Sequence, residues 1–191
     1  MADESILELL HKDHEEAEEL IDQIIDEQDG AERAALFAKL REELIAHLEA
    51  EAKVLYARLE KQRDNEEGHD FALEGAVEHE LVEQQLEVLG RSRNKGGEDW
   101  TARMEVVRDM VRHHVEQEED EGHQAARELF DEPTLVELGE EFTAAKERMM
   151  SGGAARGGTR KAAARAYAGS KPRSRTTTQK KGRTRKKAAR R

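Results

Sequence analysis

Apolar residues recur at helical spacing through the first 150 positions and then stop. Ile6, Leu9 and Leu10, followed by Ala17, Leu20, Ile21, Ile24 and Ile25, keep the three-and-four spacing of one helix face. They predict a first helix ending at Asp29-Gly30, where a glycine can adopt the left-handed C-cap conformation. A second helix is expected over about 31–62, with Leu36, Phe37, Leu40, Leu44, Ile45, Leu48, Val54, Leu55 and Leu59 on its apolar side. Beyond the polar turn 64–68, a third carries Phe71, Leu73, Val77, Leu81, Val82, Leu86 and Leu89 and ends near Gly96-Gly97. The fourth carries Trp100, Met104, Val107, Met110, Val111 and Val115 and reaches Phe130. Asp131-Glu132-Pro133 then opens a shorter fifth helix to about Met150, with proline near the first helical position.

Four helices of similar length joined by short turns predict an all-α fold. The expected arrangement is an antiparallel up-down four-helix bundle over 1–130, with an accessory fifth helix over 131–150. Pro133 and Pro172 are the two prolines, so nothing before 133 forces a helix to break. Residues 151–191 consist almost wholly of Ala, Arg, Lys, Gly, Ser and Thr, with Tyr167 the one large apolar side chain. Such a segment cannot bury a core and is expected to be a disordered tail.

Charge divides the chain at the same point. Of 32 Lys and Arg, 15 fall from Ser151 onward, where Asp and Glu are absent; the other 17 face 43 acidic residues. The body is thus near −26 and the tail near +15, which implies two regions with different partners. The tail's candidate nucleic-acid-binding residues are Lys180, Lys181, Arg183, Arg185, Lys186, Lys187, Arg190 and Arg191. Neutralising phosphates would give salt-dependent DNA or RNA binding without sequence preference. The alternative is that the tail folds back onto its own acidic body.

Cysteine is absent, which removes disulfides, thiolate metal sites and thiol nucleophiles together and fits a reducing compartment. The acidic start Met1-Ala-Asp-Glu-Ser-Ile does not resemble a signal peptide, and no stretch approaches the roughly 20 apolar residues of a membrane span. A cytoplasmic protein, nucleoid-associated if the tail binds nucleic acid, is expected. No glycine-rich phosphate loop follows a strand and no GxSxG occurs.

The candidate chemistry lies in the body. His47-Leu-Glu-Ala-Glu51, His79-Glu-Leu-Val-Glu83 and His114-Val-Glu-Gln-Glu118 repeat one spacing on three helices, and His14 stands on the first. Four residues is about one turn, so each pair presents an imidazole and a carboxylate on one face. In an up-down hairpin, residues equidistant from the turn share a level. Reflection through Gly30 takes 14 to 46; through Asn65 it takes 51 and 47 to 79 and 83; through Gly96-Gly97 it takes 79 to 114. An offset of one residue is only about 1.5 Å along a helix. Seven candidate ligands, His14, His47, Glu51, His79, Glu83, His114 and Glu118, therefore converge on one layer amid apolar neighbours. Ionised carboxylates there are costly unless cations compensate them. The plainer alternative is solvated His and Glu at the edges of the apolar stripe. Imidazoles and carboxylates without thiolate suit iron or manganese, and bridging-capable carboxylates favour two ions over one. Zinc suits a seven-ligand set less well.

The pattern His14…His47-xxx-Glu51…His79…His114-xxx-Glu118, with Leu9-Leu10-His11-Lys12-Asp13-His14 before it, resembles the hemerythrin or HHE cation-binding family over about 1–130. The resemblance implies a carboxylate-bridged, non-haem di-iron site. His14, His47, His79 and His114 would be terminal ligands and Glu51 and Glu118 bridges, with Glu119 an alternative second bridge. Glu83 stands where the family's oxygen carriers have a fifth histidine, and the full pattern is similar to an actinobacterial subgroup. An anionic ligand there stabilises the ferric state, so catalase- or peroxidase-like reaction with hydrogen peroxide is expected over reversible dioxygen carriage. A non-enzymatic dioxygen, nitric oxide or iron sensor or store is the alternative. His11, one turn before His14, is a candidate neighbour of the ligands. His113 is expected to point away, and His69 and His123 to be solvated near helix ends.

Overall fold

The computed structural model describes residues 4–152, all of them in helices or short connections. Ser5 opens α1 (Ile6–Asp26) with a capping box: its hydroxyl accepts from Glu8 N, and its own N–H donates to Glu8 Oε2 at 2.9 Å. Gly30 does not end α1. Asp29 instead caps α2 (Gly30–Glu51), accepting from Ala31 N and Glu32 N at 2.9 Å each, and the glycine becomes the first residue of that helix. Two satisfied N–H groups give the chain a reason to restart there.

The helix expected over 31–62 is continuous to Leu59 but not regular. A π-helical turn, Ala52–Tyr56, lies between α2 and the last α-helical turn, α3 (Ala57–Leu59). Asn65, accepting from Gly68 N, opens α4 (Glu66–Arg91). After α5 (Glu98–Gln117) a second π-helical turn, Glu118–Gly122, leads into α6 (His123–Leu129). The last helix is α7 (Glu132–Gly152), preceded by Asp131, whose side chain accepts from Thr134 N.

Contacts fix the directions. Asp13 meets His47 at one end of the α1–α2 pair and Ile25 meets Arg33 at the other, so these helices run oppositely. α4 and α5 do the same, with His79 facing His114 and Leu89 facing Trp100. The α7 helix runs alongside α1 in the same direction, packed there by Leu135, Leu138, Phe142 and Ala145 rather than extending as a tether. A Cβ on Gly139 would lie 2.5 Å from Glu4 O, which shows how closely these two backbones approach.

The core has two apolar clusters. One gathers Ile6 and Leu10 with Val54, Leu55, Leu59, Phe71, Leu138 and Phe142. The other gathers Ile21 and Ile24 with Phe37, Leu40, Leu86, Leu89, Trp100 and Met104. On each of the four long helical stretches, the buried histidine lies in sequence between residues of one cluster and residues of the other. A polar layer therefore separates the two. Val77 and Leu81, expected on the apolar side of their helix, are 43% and 45% exposed because α4 turns His79 and Val82 inward instead.

No helix among the described residues is long and apolar enough to cross a membrane. The tail residues Lys180, Lys181, Arg183, Arg185, Lys186, Lys187, Arg190 and Arg191 lie outside the described residues.

Candidate metal centre

Two glutamates occupy the middle of the polar layer with no exposed surface, Glu51 at the end of α2 and Glu118 at the start of the second π turn. Four imidazoles surround them through Nε2. His47 and His79 lie 3.6 and 3.4 Å from Glu51 Oε2, and His14 and His114 lie 3.2 and 3.5 Å from Glu118 Oε2. His79 Nε2 and His114 Nε2 face each other at 3.0 Å. Six of the seven residues expected from the sequence thus meet. Glu83, the seventh, is half-buried on α4 one turn beyond His79.

The outward nitrogens of three imidazoles are held by carboxylates. Asp13 Oδ2 accepts from His47 Nδ1 at 3.0 Å, Glu119 Oε1 from His14 Nδ1 at 3.1 Å, and Glu78 Oε2 from His114 Nδ1 at 2.7 Å. This fixes the tautomer that turns the Nε2 lone pair toward the glutamates and raises its basicity. Glu119 therefore stands outside the imidazoles, where it also accepts from His11 Nδ1 at 2.8 Å, and Glu118 is the inner carboxylate. His11 is exposed and touches the site through Glu119.

The side chains of the layer are by themselves electrostatically unfavourable neighbours. Burial, and then the charge of Glu118, pushes the Glu51 carboxyl well above its ordinary range. Burial also opposes ionisation of Glu118, but the polar side chains of Glu51, His114 and His14 beside it outweigh that and hold the carboxyl low. Burial and the neighbouring His114 push His79 well down. His114 itself is pushed up to about 9, because Glu118 and Glu78 outweigh its burial.

Four buried carboxylate oxygens, both of Glu51 and both of Glu118, have no hydrogen-bond partner within the protein, and neither does His14 Nε2. Buried polar atoms are seldom left this way. The donor set answers the question of fit. Glu51, His79 and His114 offer three ligand atoms within 4.8 Å of one another. The 3.0 Å between the two facing nitrogens is the separation of neighbouring ligands bonded at right angles, each about 2.1 Å from one ion. Nitrogen and carboxylate oxygen without sulfur is the chemistry of a first-row cation such as iron. The residues fit a metal.

Several neighbours are not evident from spacing. Tyr56, five residues after Glu51, places its hydroxyl 3.4 Å from both His79 Nε2 and His114 Nε2. His123, five residues after Glu118, is buried with Nε2 unpartnered, not solvated as its place near a helix end suggests. Tyr56 ends one π turn and His123 directly follows the other, and a π turn leaves no mark in a pattern read at 3.6 residues. By contrast His113 is exposed as expected, its ring near Glu78, while His69 is half-buried with its Nδ1 2.8 Å from Glu60 O. Asp13 precedes His14 directly, so an acidic residue beside a ligand histidine was the available signal for it.

A cavity of about 110 Å³ reaches the layer from one side, touching His14, His47 and His114 between Leu44, Val82 and Val111. Lys146 and Met150 of α7 also border it. The Hemerythrin HHE cation binding domain family model matches residues 5–126. No curated protein and no solved structure matches the chain.

Proposed function

The chain belongs to the hemerythrin HHE cation-binding domain family, and on that premise we propose that it holds two iron ions and reacts with hydrogen peroxide. The observation that carries the reading is the pair of fully buried glutamates, four oxygens without a partner, ringed by four imidazole Nε2 atoms. His14, His47, His79 and His114 would hold the ions through their Nε2 atoms. Glu51 and Glu118 would supply the carboxylates between them, and Glu83, half-buried one turn beyond His79, would be a further anionic donor. Bound there, iron supplies the change of oxidation state that peroxide chemistry needs.

The rest is done by the chain. Asp13, Glu119 and Glu78 hold the Nδ1 protons so that each Nε2 is free to bind. The glutamates supply negative charge, which favours the ferric state and counts against reversible dioxygen carriage. Leu44, Leu48, Val82, Val111 and Val115 make most of the cavity wall apolar, beside Asp13, Glu16, Glu43 and Lys146, and leave room for a molecule the size of peroxide.

That apolar lining also favours uncharged diatomic ligands, so a dioxygen or nitric oxide sensor is the second reading. Iron analysis and a peroxide-consumption assay on the iron-loaded full chain separate them. About two irons per chain with peroxide turnover supports the enzyme, whereas loaded protein that leaves peroxide untouched leaves the sensor.

A further inference from the structure

Tyr56 ends the π-helical turn that follows Glu51. Across an α-helix, two residues five apart point about 140° away from each other. Across a π turn they stack, because its hydrogen bonds run from i to i+5. The irregularity therefore carries Tyr56 onto the face of Glu51 and into the polar layer. Its ring is 3% exposed and lies against the His79 ring at 5.1 Å between centroids and 29° between planes. Gly75 on α4 makes the room: a Cβ there would sit 2.8 Å from both Tyr56 Oη and Cε2.

The hydroxyl reaches the Glu51, His79 and His114 group, whose ligand atoms already lie within 4.8 Å of one another. At 3.4 Å from both Nε2 atoms, Oη is too far for a good hydrogen bond to either imidazole. It is close enough to join them around one ion. We propose that Tyr56 is a further metal ligand, binding through its phenolate oxygen the cation that Glu51, His79 and His114 hold. This rests on the metal-binding reading above.

The phenol O–H bond breaks, an oxygen–metal bond forms, and the proton passes to water; no electron moves in this step. A phenolate is a hard anionic donor that prefers a trivalent to a divalent ion. It thus acts in the same sense as the carboxylates. The rival role for Tyr56, a phenol donating a hydrogen bond to Glu51, requires no loss of its proton.

The test is optical. A phenolate bound to ferric iron gives a charge-transfer band in the visible region and resonance-enhanced tyrosinate Raman modes, and a hydrogen-bonded phenol gives neither. The full chain, loaded with ferrous iron and oxidised in air, should show both. Tyr56→Phe should lose both while retaining its iron and its helical circular dichroism. The chain has two tyrosines, so Tyr167→Phe is the control and should leave the band in place. If Tyr56→Phe fails to fold, ring-deuterated tyrosine in the wild type should shift the Raman modes. Iron-loaded wild type without tyrosinate modes, or a Tyr56→Phe protein that keeps them, overturns the proposal while leaving the metal site standing. A chain that takes up no iron overturns both.

Discussion

Lys146 Nζ lies 2.5 Å from Asp13 Oδ2, the same oxygen that accepts from His47 Nδ1 at 3.0 Å. A helix beyond the segment matched by the family thereby reaches an imidazole of the metal layer. Burial alone would raise the Asp13 carboxyl, yet His47 and Lys146 outweigh it and hold the carboxyl below its ordinary range. Asp13→Asn keeps the shape and removes the charge. Iron affinity is expected to fall by roughly 10–100-fold, with full stoichiometry at saturation. Lys146→Met should have a smaller effect in the same direction. Competition titrations against a chelator measure both, and an Asp13→Asn protein with unaltered affinity would refute the link.

Glu118 and Glu119 are adjacent in sequence and should behave differently. Glu118→Gln replaces an inner, fully buried carboxylate, and metal analysis should find markedly less iron per chain. Glu119→Gln touches only the outer nitrogens of His11 and His14 and should load to the same stoichiometry with weaker affinity. Equal iron content in the two variants would contradict the assignment of Glu118 as the inner residue.

Glu51 and Glu118 place two buried acids unfavourably close together. A buried carboxyl beside a second buried carboxylate is costly, and a neutral amide of the same shape removes that like-charge repulsion. Glu51→Gln should therefore leave the melting temperature of the metal-free protein unchanged or higher. The same variant should lose the rise that added ferrous iron produces in the wild type. Calorimetric scans with and without iron give both quantities, and a variant that still gains the full rise disproves the role of Glu51.

Metal binding should strengthen as pH rises. In the metal-free fold His114 sits at about 9, above its ordinary 6.5, because Glu118 and Glu78 outweigh its burial. Its protonation therefore stabilises that fold fully below about pH 6.5, and the contribution disappears as pH climbs through 9. Coordination requires the neutral imidazole, so loading at pH 7 must expel this proton. Iron titrations in two buffers of different ionisation enthalpy should report net proton release at pH 7. A heat independent of the buffer would exclude it.

Docking of α7 can be tested without touching the site. Gly139→Ala places a methyl group 2.5 Å from Glu4 O and 3.1 Å from Ile6 N, backbone atoms that cannot rotate aside. Overpacking of this kind costs about 1–3 kcal/mol. Urea unfolding should show that loss, and an unchanged midpoint would mean that α1 and α7 separate readily.

Much of this protein was determined by the sequence alone. Apolar spacing places the long helices, since burial of one face depends on local periodicity. The HxxxE repeats, reflected through the turns, assign His14, His47, Glu51, His79, Glu83, His114 and Glu118 to one level, because depth in a hairpin follows from counting residues, and all but Glu83 are seen to meet there. Tertiary structure decided what counting at 3.6 residues could not. The two π turns rotate everything after Glu51 and Glu118 relative to an unbroken helix, and so set Tyr56 and His123 inside. Lys146 reaches Asp13 from 133 positions away, a contact fixed by the packing of α7 on α1. Choosing Glu118 over its neighbour Glu119 needed the same information: residues one apart differ by about 100° in direction, and only the packed bundle defines which direction is inward.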